Sequence, residues 1–334
     1  MTHLTYLEAA VVGLVQGVSE MFPVSSLGHS VLIPAIIGGS WARDLNVATA
    51  ESPYLAFVVG LHVATAIALL VYFWRDWIRI IGGFLTSIRD RGVRTEDQKL
   101  AWMVILATIP VGVVGLLFEH AFRVIFAKPI IAGIFLAVNG LILIAGERYR
   151  SRASLAADAA IAAEREPGPP IPAREPELVG AVRATPASPA ALRQQEQAEM
   201  IQADRRLASM TYPQAVVVGS AQVLALLAGI SRDGVTIVAG MARGLSREDA
   251  ARFAFLLATP VILAAGALKI PDLLGPLGHG IGGQILVGSV ASGVGAYLSV
   301  RFLLRYLRTR TLTPFGVYCL IAGLASVLYL GLVK

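Results

Sequence analysis

The sequence predicts an all-α polytopic membrane protein, with six transmembrane helices and two re-entrant helical hairpins in an inverted-topology repeat. Three observations predict this. The 334 residues are 56% hydrophobic and only 15% charged, whereas a soluble domain carries about a quarter charged residues. Six continuous apolar runs reach the length of a membrane crossing, about 20 residues at 1.5 Å each. Two further apolar segments, 4–38 and 212–242, are broken near their middles by Gly, Pro, Ser or charge. Interrupted segments at corresponding places in two halves are the mark of re-entrant helices lining a site. The net charge of +6 does not point to nucleic acid, because the arginines gather at the ends of apolar runs, as membrane-flanking charge does. The single cysteine, Cys319, lies in an apolar run and reads as a small hydrophobe. The first apolar stretch has no basic leader, so no cleavable signal is expected.

In chain order, the hairpin segment 4–38 is followed by spans at 54–74, 101–118 and 129–146. Residues 150–210 break the composition with Ala, Glu, Arg, Gln and a proline cluster from Pro167 to Pro172. This predicts a flexible, partly helical linker without its own core. The hairpin segment 212–242 follows, then spans at 253–270, 282–304 and 314–333. The predicted units are therefore 1–149, 150–210 and 211–334. Sliding residue 5 onto residue 211 aligns Thr5-Tyr6 with Thr211-Tyr212, Gln16 with Gln222, Ser25 with Ser231 and Gly28 with Gly234. One hairpin plus three crossings per repeat inverts the second copy. One face then holds residues 75–99, 147–210 and 305–313, with Arg75, Arg79, Arg89, Arg91, Arg94 and Lys99 in the first of these and Arg305, Arg308 and Arg310 in the last. The opposite face holds little beyond Arg43, Arg123, Lys128 and Lys334. Positive-inside bias makes the arginine-rich face cytoplasmic and turns the mouth of the first hairpin outward.

The chemistry concentrates at the two breaks. Gln16 and Glu20 stand four residues apart and share a helix face. Pro23 interrupts that helix, and Ser25, Ser26 and Gly28 follow where a new helix can begin. Serine is a favoured N-cap, and the free N–H groups of a helix start suit phosphate. His29 falls one turn into the second helix. In the plainer reading, the serines only cap a kinked helix and Glu20 is a structural acid. The second break runs Gly229-Ile230-Ser231-Arg232-Asp233-Gly234-Val235-Thr236. Arg232 carries a planar fork of donors suited to bidentate phosphate contact, and Asp233 beside it allows a purely structural ion pair instead. Weaker signals are His62 and Thr65 within a span, Gln222 opposite Gln16, and His279 in a Gly-rich loop. Ser246 reads as a helix cap with Asp249 at its third position. The sequence contains no Walker loop, Rossmann glycine fingerprint or cysteine metal site.

These two motifs resemble the undecaprenyl-diphosphate phosphatase family of the bacitracin-resistance type. The first is carried by Gln16, Glu20 and Met21 through His29, the second by Ala228, Gly229, Ser231, Arg232, Asp233, Gly234 and Thr236. The resemblance covers both halves and all six spans and leaves out the linker. Ala228 replaces the usual Pro, Asp233 the usual second Ser, and Leu27 a Ser or Thr. Gln16 leaves one carboxylate fewer for a metal.

The resemblance implies hydrolysis of a C55 polyprenyl diphosphate to its monophosphate, in a bacterial cell membrane with the site opening to the outer face. The expected catalytic set is Glu20, Ser26, His29 and Arg232. Arg232 holds the transferring phosphoryl group, Ser26 is the preferred nucleophile with Ser25 as second choice or orienting donor, and His29 is an acid–base or phosphate-contact group; a phosphoserine intermediate and direct attack by water both stay open. Glu20 is a base or, with Gln16, a ligand for Mg²⁺ or Ca²⁺. Ser25, Gly28, Gly229, Ser231, Gly234 and Thr236 are expected around the phosphate. The expected partners are the polyprenyl diphosphate and surrounding lipids, with a homodimer left open. The competing reading is a polyprenyl-phosphate transporter or flippase, since inverted repeats with broken helices are common in transporters. A non-catalytic lipid-binding or assembly protein is a third.

Overall fold

The computed structural model describes residues 4–45, 53–126, 128–164, 202–274 and 280–332, and among them every regular element is helical. In chain order these are α1 (Tyr6–Met21), α2 (Ser26–Ile37), α3 (Gly39–Asp44), α4 (Pro53–Tyr72), α5 (Trp74–Arg89), α6 (Glu96–Phe126) and α7 (Pro129–Glu164). After the helical segment 202–208 come α8 (Tyr212–Ser220), a 3₁₀ turn (Ala221–Leu226), α9 (Arg232–Ala242), α10 (Arg247–Leu274), α11 (Gly282–Leu307) and α12 (Thr313–Leu332).

Five of these helices are long and apolar enough to cross a membrane, and the bent pair α4–α5 makes up to six. Helix α10 is the central one: Phe253, Phe255, Leu256, Leu257 and Ala258 are all fully enclosed. It packs on α4, α6, α9 and α11, while α12 lies along α7 and α11 along α1. Outer faces stay apolar and bare, as at Ile321 and Leu328 of α12. Such faces are natural only where lipid is the solvent, and this is an integral membrane protein.

Both interrupted segments begin with the same local device. Thr5 caps α1 by accepting the Glu8 N–H (3.2 Å), while the Glu8 carboxylate takes the Thr5 N–H (2.8 Å). At the aligned position Thr211 caps α8 in the same way with Gln214, at 3.4 and 2.8 Å. Each reciprocal pair satisfies two amides that a helix start leaves open. Ser246 likewise accepts the Asp249 N–H at 3.0 Å, as its motif predicts.

The loops hold more structure than their composition suggests. Within 75–99 lies α5, bent 83° from α4. Its residues Asp76, Ile80, Gly83 and Ser87 are buried, and the helix packs on α6. Helix α7 runs past residue 146 into the predicted linker as far as Glu164. At the other end, residues 202–210 join the packed body. Leu207 is buried, Lys99 Nζ donates to the Ala208 carbonyl (2.6 Å), and the buried Asp204 pairs with Arg79 and with Arg252 (2.7 Å). His279 and the proline cluster lie outside the described residues.

Candidate active site

The two breaks meet. Helix α1 ends at Met21 just before Pro23, and Ser25 turns the chain into α2. Ser25 sits at φ 67°, ψ 97°, a left-handed conformation that a non-glycine residue rarely adopts. Its hydroxyl accepts the Gly28 N–H at 3.2 Å. At the second break Ser231 caps α9 through the Gly234 N–H, at 3.1 Å. Gly229, at φ 112°, has no room for a side chain, since a Cβ there would press on the backbone of α7. A Cβ on Gly28 would stand 3.0 Å from Gly229 Cα, so the two tips touch.

Asn139 of α7 pins this junction. Fully buried, it donates from Nδ2 to the Pro23 carbonyl (2.9 Å) and accepts at Oδ1 from the Ser231 N–H (3.0 Å). One side chain therefore satisfies a backbone group on each tip, which would otherwise be costly orphans in a dry interior.

Glu20 is the hub of the side-chain cluster. Its Oε1 accepts from the Arg232 guanidinium at 2.9 Å. Its Oε2 accepts from the Ser26 hydroxyl and from Gln16 Nε2 (2.9 Å). His62 of α4 closes the ring of contacts, with Nε2 3.2 Å from Gln16 Nε2 and 3.6 Å from Glu20 Oε2. Its Nδ1 lies 2.9 Å from the Val58 carbonyl, which can only accept, so Nδ1 carries a proton. Arg232 also reaches Asp233 through Nε at 3.3 Å. The ion pair considered as a structural alternative therefore exists, but the same guanidinium spans both carboxylates. Asp233 Oδ2 is buried and meets no hydrogen-bond partner among the described residues.

The cluster opens into a cavity of about 330 Å³. Glu20, Ser25, Ser26, His62, Ser231 and Arg232 line one part of it. Val58, Val59, Val111, Val261 and Ile262 line the apolar remainder, and Gln222 and Lys269 also face it. The same cavity thus offers polar groups suited to an anionic head and apolar groups suited to a tail.

Of the residues singled out from sequence, Gln16, Glu20, Ser25, Ser26, Ser231 and Arg232 come together. Gly28, Gly229 and Gly234 build the tips. Thr236 does not face the cavity: its hydroxyl donates to the Arg232 carbonyl at 2.7 Å. His29 is not brought into the cluster either. Its Nδ1 is 2.7 Å from the Ser25 carbonyl, its Nε2 accepts from the Tyr318 hydroxyl at 2.8 Å, and its ring stacks on Tyr318. The imidazole beside Glu20 belongs instead to His62, which read as a lone intramembrane histidine. Asn139 and Lys269 were missed. The signal for each was present, as a polar side chain inside or at the end of an apolar run.

As a metal site the donor set is thin. Among the described residues no three His, Cys, Asp or Glu groups converge to hold an ion. Gln16 presents its amide nitrogen to Glu20 and its Oε1 to the Ser30 hydroxyl (3.4 Å), so in this arrangement it is a hydrogen-bond partner of Glu20. Among the described residues a single carboxylate, Glu20, lines the cavity, which suits an ion that arrives with phosphate oxygens of its own, as Mg²⁺ commonly does.

Fold and site together define a membrane-embedded helical protein with a polar, phosphate-suited chamber between two broken helices. Residues 9–325 match the family described as Bacitracin resistance protein BacA, and the chain belongs to that family. It is 56% identical over 330 residues to an "Undecaprenyl-diphosphatase" of Mycolicibacterium paratuberculosis, covering 99% of each chain. It is 53% identical over 333 residues to "Undecaprenyl-diphosphatase 2" of Frankia alni, covering 97% of each. A more distant relative, "Undecaprenyl-diphosphatase 2" of Chromobacterium violaceum, is 37% identical over 330 residues.

Proposed function

We propose that this protein hydrolyses undecaprenyl diphosphate to undecaprenyl phosphate and inorganic phosphate, recycling the lipid carrier for cell-wall synthesis. One observation carries the reading: Glu20 holds the Ser26 hydroxyl on one oxygen and the Arg232 guanidinium on the other. A nucleophile within hydrogen-bond reach of its base, beside a fixed cation, is the minimum for phosphoryl transfer. The names of the relatives support the same substrate.

In this mechanism the terminal phosphate enters beside Arg232, and the prenyl chain extends along the apolar wall. Ser26 Oγ attacks the terminal phosphorus as Glu20 takes its proton. The bridging P–O bond breaks and its electron pair leaves with the lipid monophosphate, which recovers the proton. Water then attacks the phosphoserine, returning a proton to Ser26 Oγ and releasing inorganic phosphate. Arg232 stabilises charge on the phosphoryl oxygens in both steps. Gln16 holds the Glu20 carboxylate in place by donating to it, and His62 stands beside both. A divalent cation bound at Glu20 with the diphosphate would supply further charge neutralisation.

The cavity meets α4 at 58–62 and α10 at 261–269, the ends away from Arg75 and Arg247. Positive-inside bias then opens it to the outer face of a bacterial cell membrane. In the fold that fits this reading, α4, α6, α7, α10, α11 and α12 are six spans, α5 bends off the end of α4, and the two broken segments are re-entrant hairpins of an inverted repeat. The matching caps at Thr5 and Thr211, and at Ser25 and Ser231, support it.

The repeated caps also favour a second reading, as a polyprenyl-phosphate transporter. Purified protein in detergent separates the two. Hydrolysis releases phosphate without a sealed bilayer, and the Ser26→Ala variant is inactive and cannot be labelled by terminally radiolabelled substrate. Absence of phosphate release from active-site-intact protein, with lipid movement in sealed vesicles, would establish the transporter instead.

A further inference from the structure

A second cavity, about 630 Å³ in volume, lies at the elbow between α4 and α5. It shares two walls with the reaction cavity but sits at their other ends. On α4 the reaction cavity meets His62 and the elbow cavity Tyr72; on α10 they meet Ile262 and Arg252. Ten residues separate the members of each pair, so the cavities are about 15 Å apart along both helices. The mechanism above uses nothing in the elbow cavity.

Its depth in the membrane can be read from α5. Trp74, Ile78, Ile81, Leu85 and Ile88 recur at helical spacing and are each more than half exposed. The opposite face of α5 packs on α6. A helix bent 83° from a membrane span, with one bare apolar stripe, lies along the interface with that stripe among acyl chains. The elbow cavity therefore opens at headgroup depth.

The cavity's chemistry is that of an anion site. Arg75, Arg206, Arg252 and Arg308 line it, against Asp76 and Glu248. Several of these cations are held by carboxylates: Arg252 by Asp76 and Asp204, Arg206 by Asp249 (2.6 Å), and Arg308 by Glu248 (2.8 Å). Arg252 is buried, and its second terminal nitrogen, unpartnered among the described residues, is itself enclosed and so not presented to the cavity. Arg75 lies over the Trp74 ring, 5.2 Å from its centroid. Tyr72, Phe73 and Trp74 complete an aromatic wall, the side-chain type that sits at a membrane–water boundary.

We propose that this elbow cavity binds the phosphate headgroup of an anionic lipid, at the membrane face opposite the reaction cavity. The guanidinium groups of Arg75 and Arg308 at the cavity rim take the phosphate, and the acyl chains run along the bare stripe of α5. The carboxylates fix the remaining arginines so that the pocket does not collapse when empty.

The test uses the full chain in a neutral detergent, with native mass spectrometry measuring binding of dioctanoyl phosphatidylglycerol, dioctanoyl phosphatidylcholine and inorganic phosphate. The proposal expects phosphatidylglycerol to bind in preference to both others. It expects the Arg75→Gln/Arg308→Gln variant, altered only at the cavity rim, to bind about 30-fold more weakly, at about 1 kcal/mol per cation. Phosphate release from the diphosphate substrate stays unchanged, which shows that the variant is folded. Trp74→Ala weakens binding of the lipid without changing the response to inorganic phosphate. Equal binding of phosphatidylcholine, or unchanged affinity in the double variant, overturns the proposal. Binding of inorganic phosphate with no gain from the lipid chains overturns the lipid assignment.

Discussion

At the first tip, Ser25 caps α2 through the Gly28 amide; at the second, Ser231 caps α9 through the Gly234 amide. The residue after each cap is Ser26 in one case and Arg232 in the other. One turn before each break stands Glu20 at the first tip, and Leu226 at the aligned position of the second. The backbone device is thus repeated, while the carboxylate and the hydroxyl it accepts occur on one side only and the guanidinium on the other. In the proposed mechanism neither hairpin works alone. A carboxylate and a guanidinium buried separately at membrane depth would each be expensive, and placed 2.9 Å apart each stabilises the other.

That division of labour can be broken from either side. Glu20→Gln keeps the shape and removes the base, and steady-state phosphate release should fall by about 10²–10⁴-fold. Arg232→Lys keeps a charge on the second tip but loses the fork that spans Glu20 and Asp233. It should lower kcat/KM by about 10²–10³-fold, the loss typical of one preorganised donor. Severing the link between the tips should have a smaller effect. Asn139→Leu leaves the Pro23 carbonyl and the Ser231 N–H unsatisfied, at about 1–3 kcal/mol for each group. The thermal midpoint should drop and kcat fall, while Asn139→Asp, which keeps the acceptor for Ser231, recovers part of both. Lys269→Met, in the lining of the cavity, should raise KM severalfold and leave kcat nearly intact. The smallest effect sharpens the contrast between tips: Asp233→Ser removes a negative charge beside Arg232 and should lower KM slightly.

Much of this asymmetry was legible in the sequence, because the breaks are made by local chemistry. Pro23 stops a helix wherever it stands, and Ser25, Ser231, Thr5 and Thr211 cap whatever follows them. The Gln16–Glu20 spacing placed both side chains on one face without tertiary information. What could not be read depends on which helix crosses which. His62 and His29 are both single histidines in apolar surroundings. Only the packing of α4 beside α1, and of α12 beside α2, decides that His62 meets Glu20 while His29 meets Tyr318. Asn139 was one amide in a greasy run, and its two partners lie far away in sequence. Helix α5 was hidden for a different reason. Its 3–4 residue apolar rhythm was present, but the density of arginine around it read as a loop.

The central claim is that Glu20 and Arg232, from different halves of the chain, act as one unit. A double-mutant cycle in kcat/KM for phosphate release, with Glu20→Gln and Arg232→Gln singly and together, tests it most directly. The account predicts strong non-additivity, the double variant being little worse than the poorer single one. Losses that simply multiply would mean that the two tips contribute independently, and would contradict it.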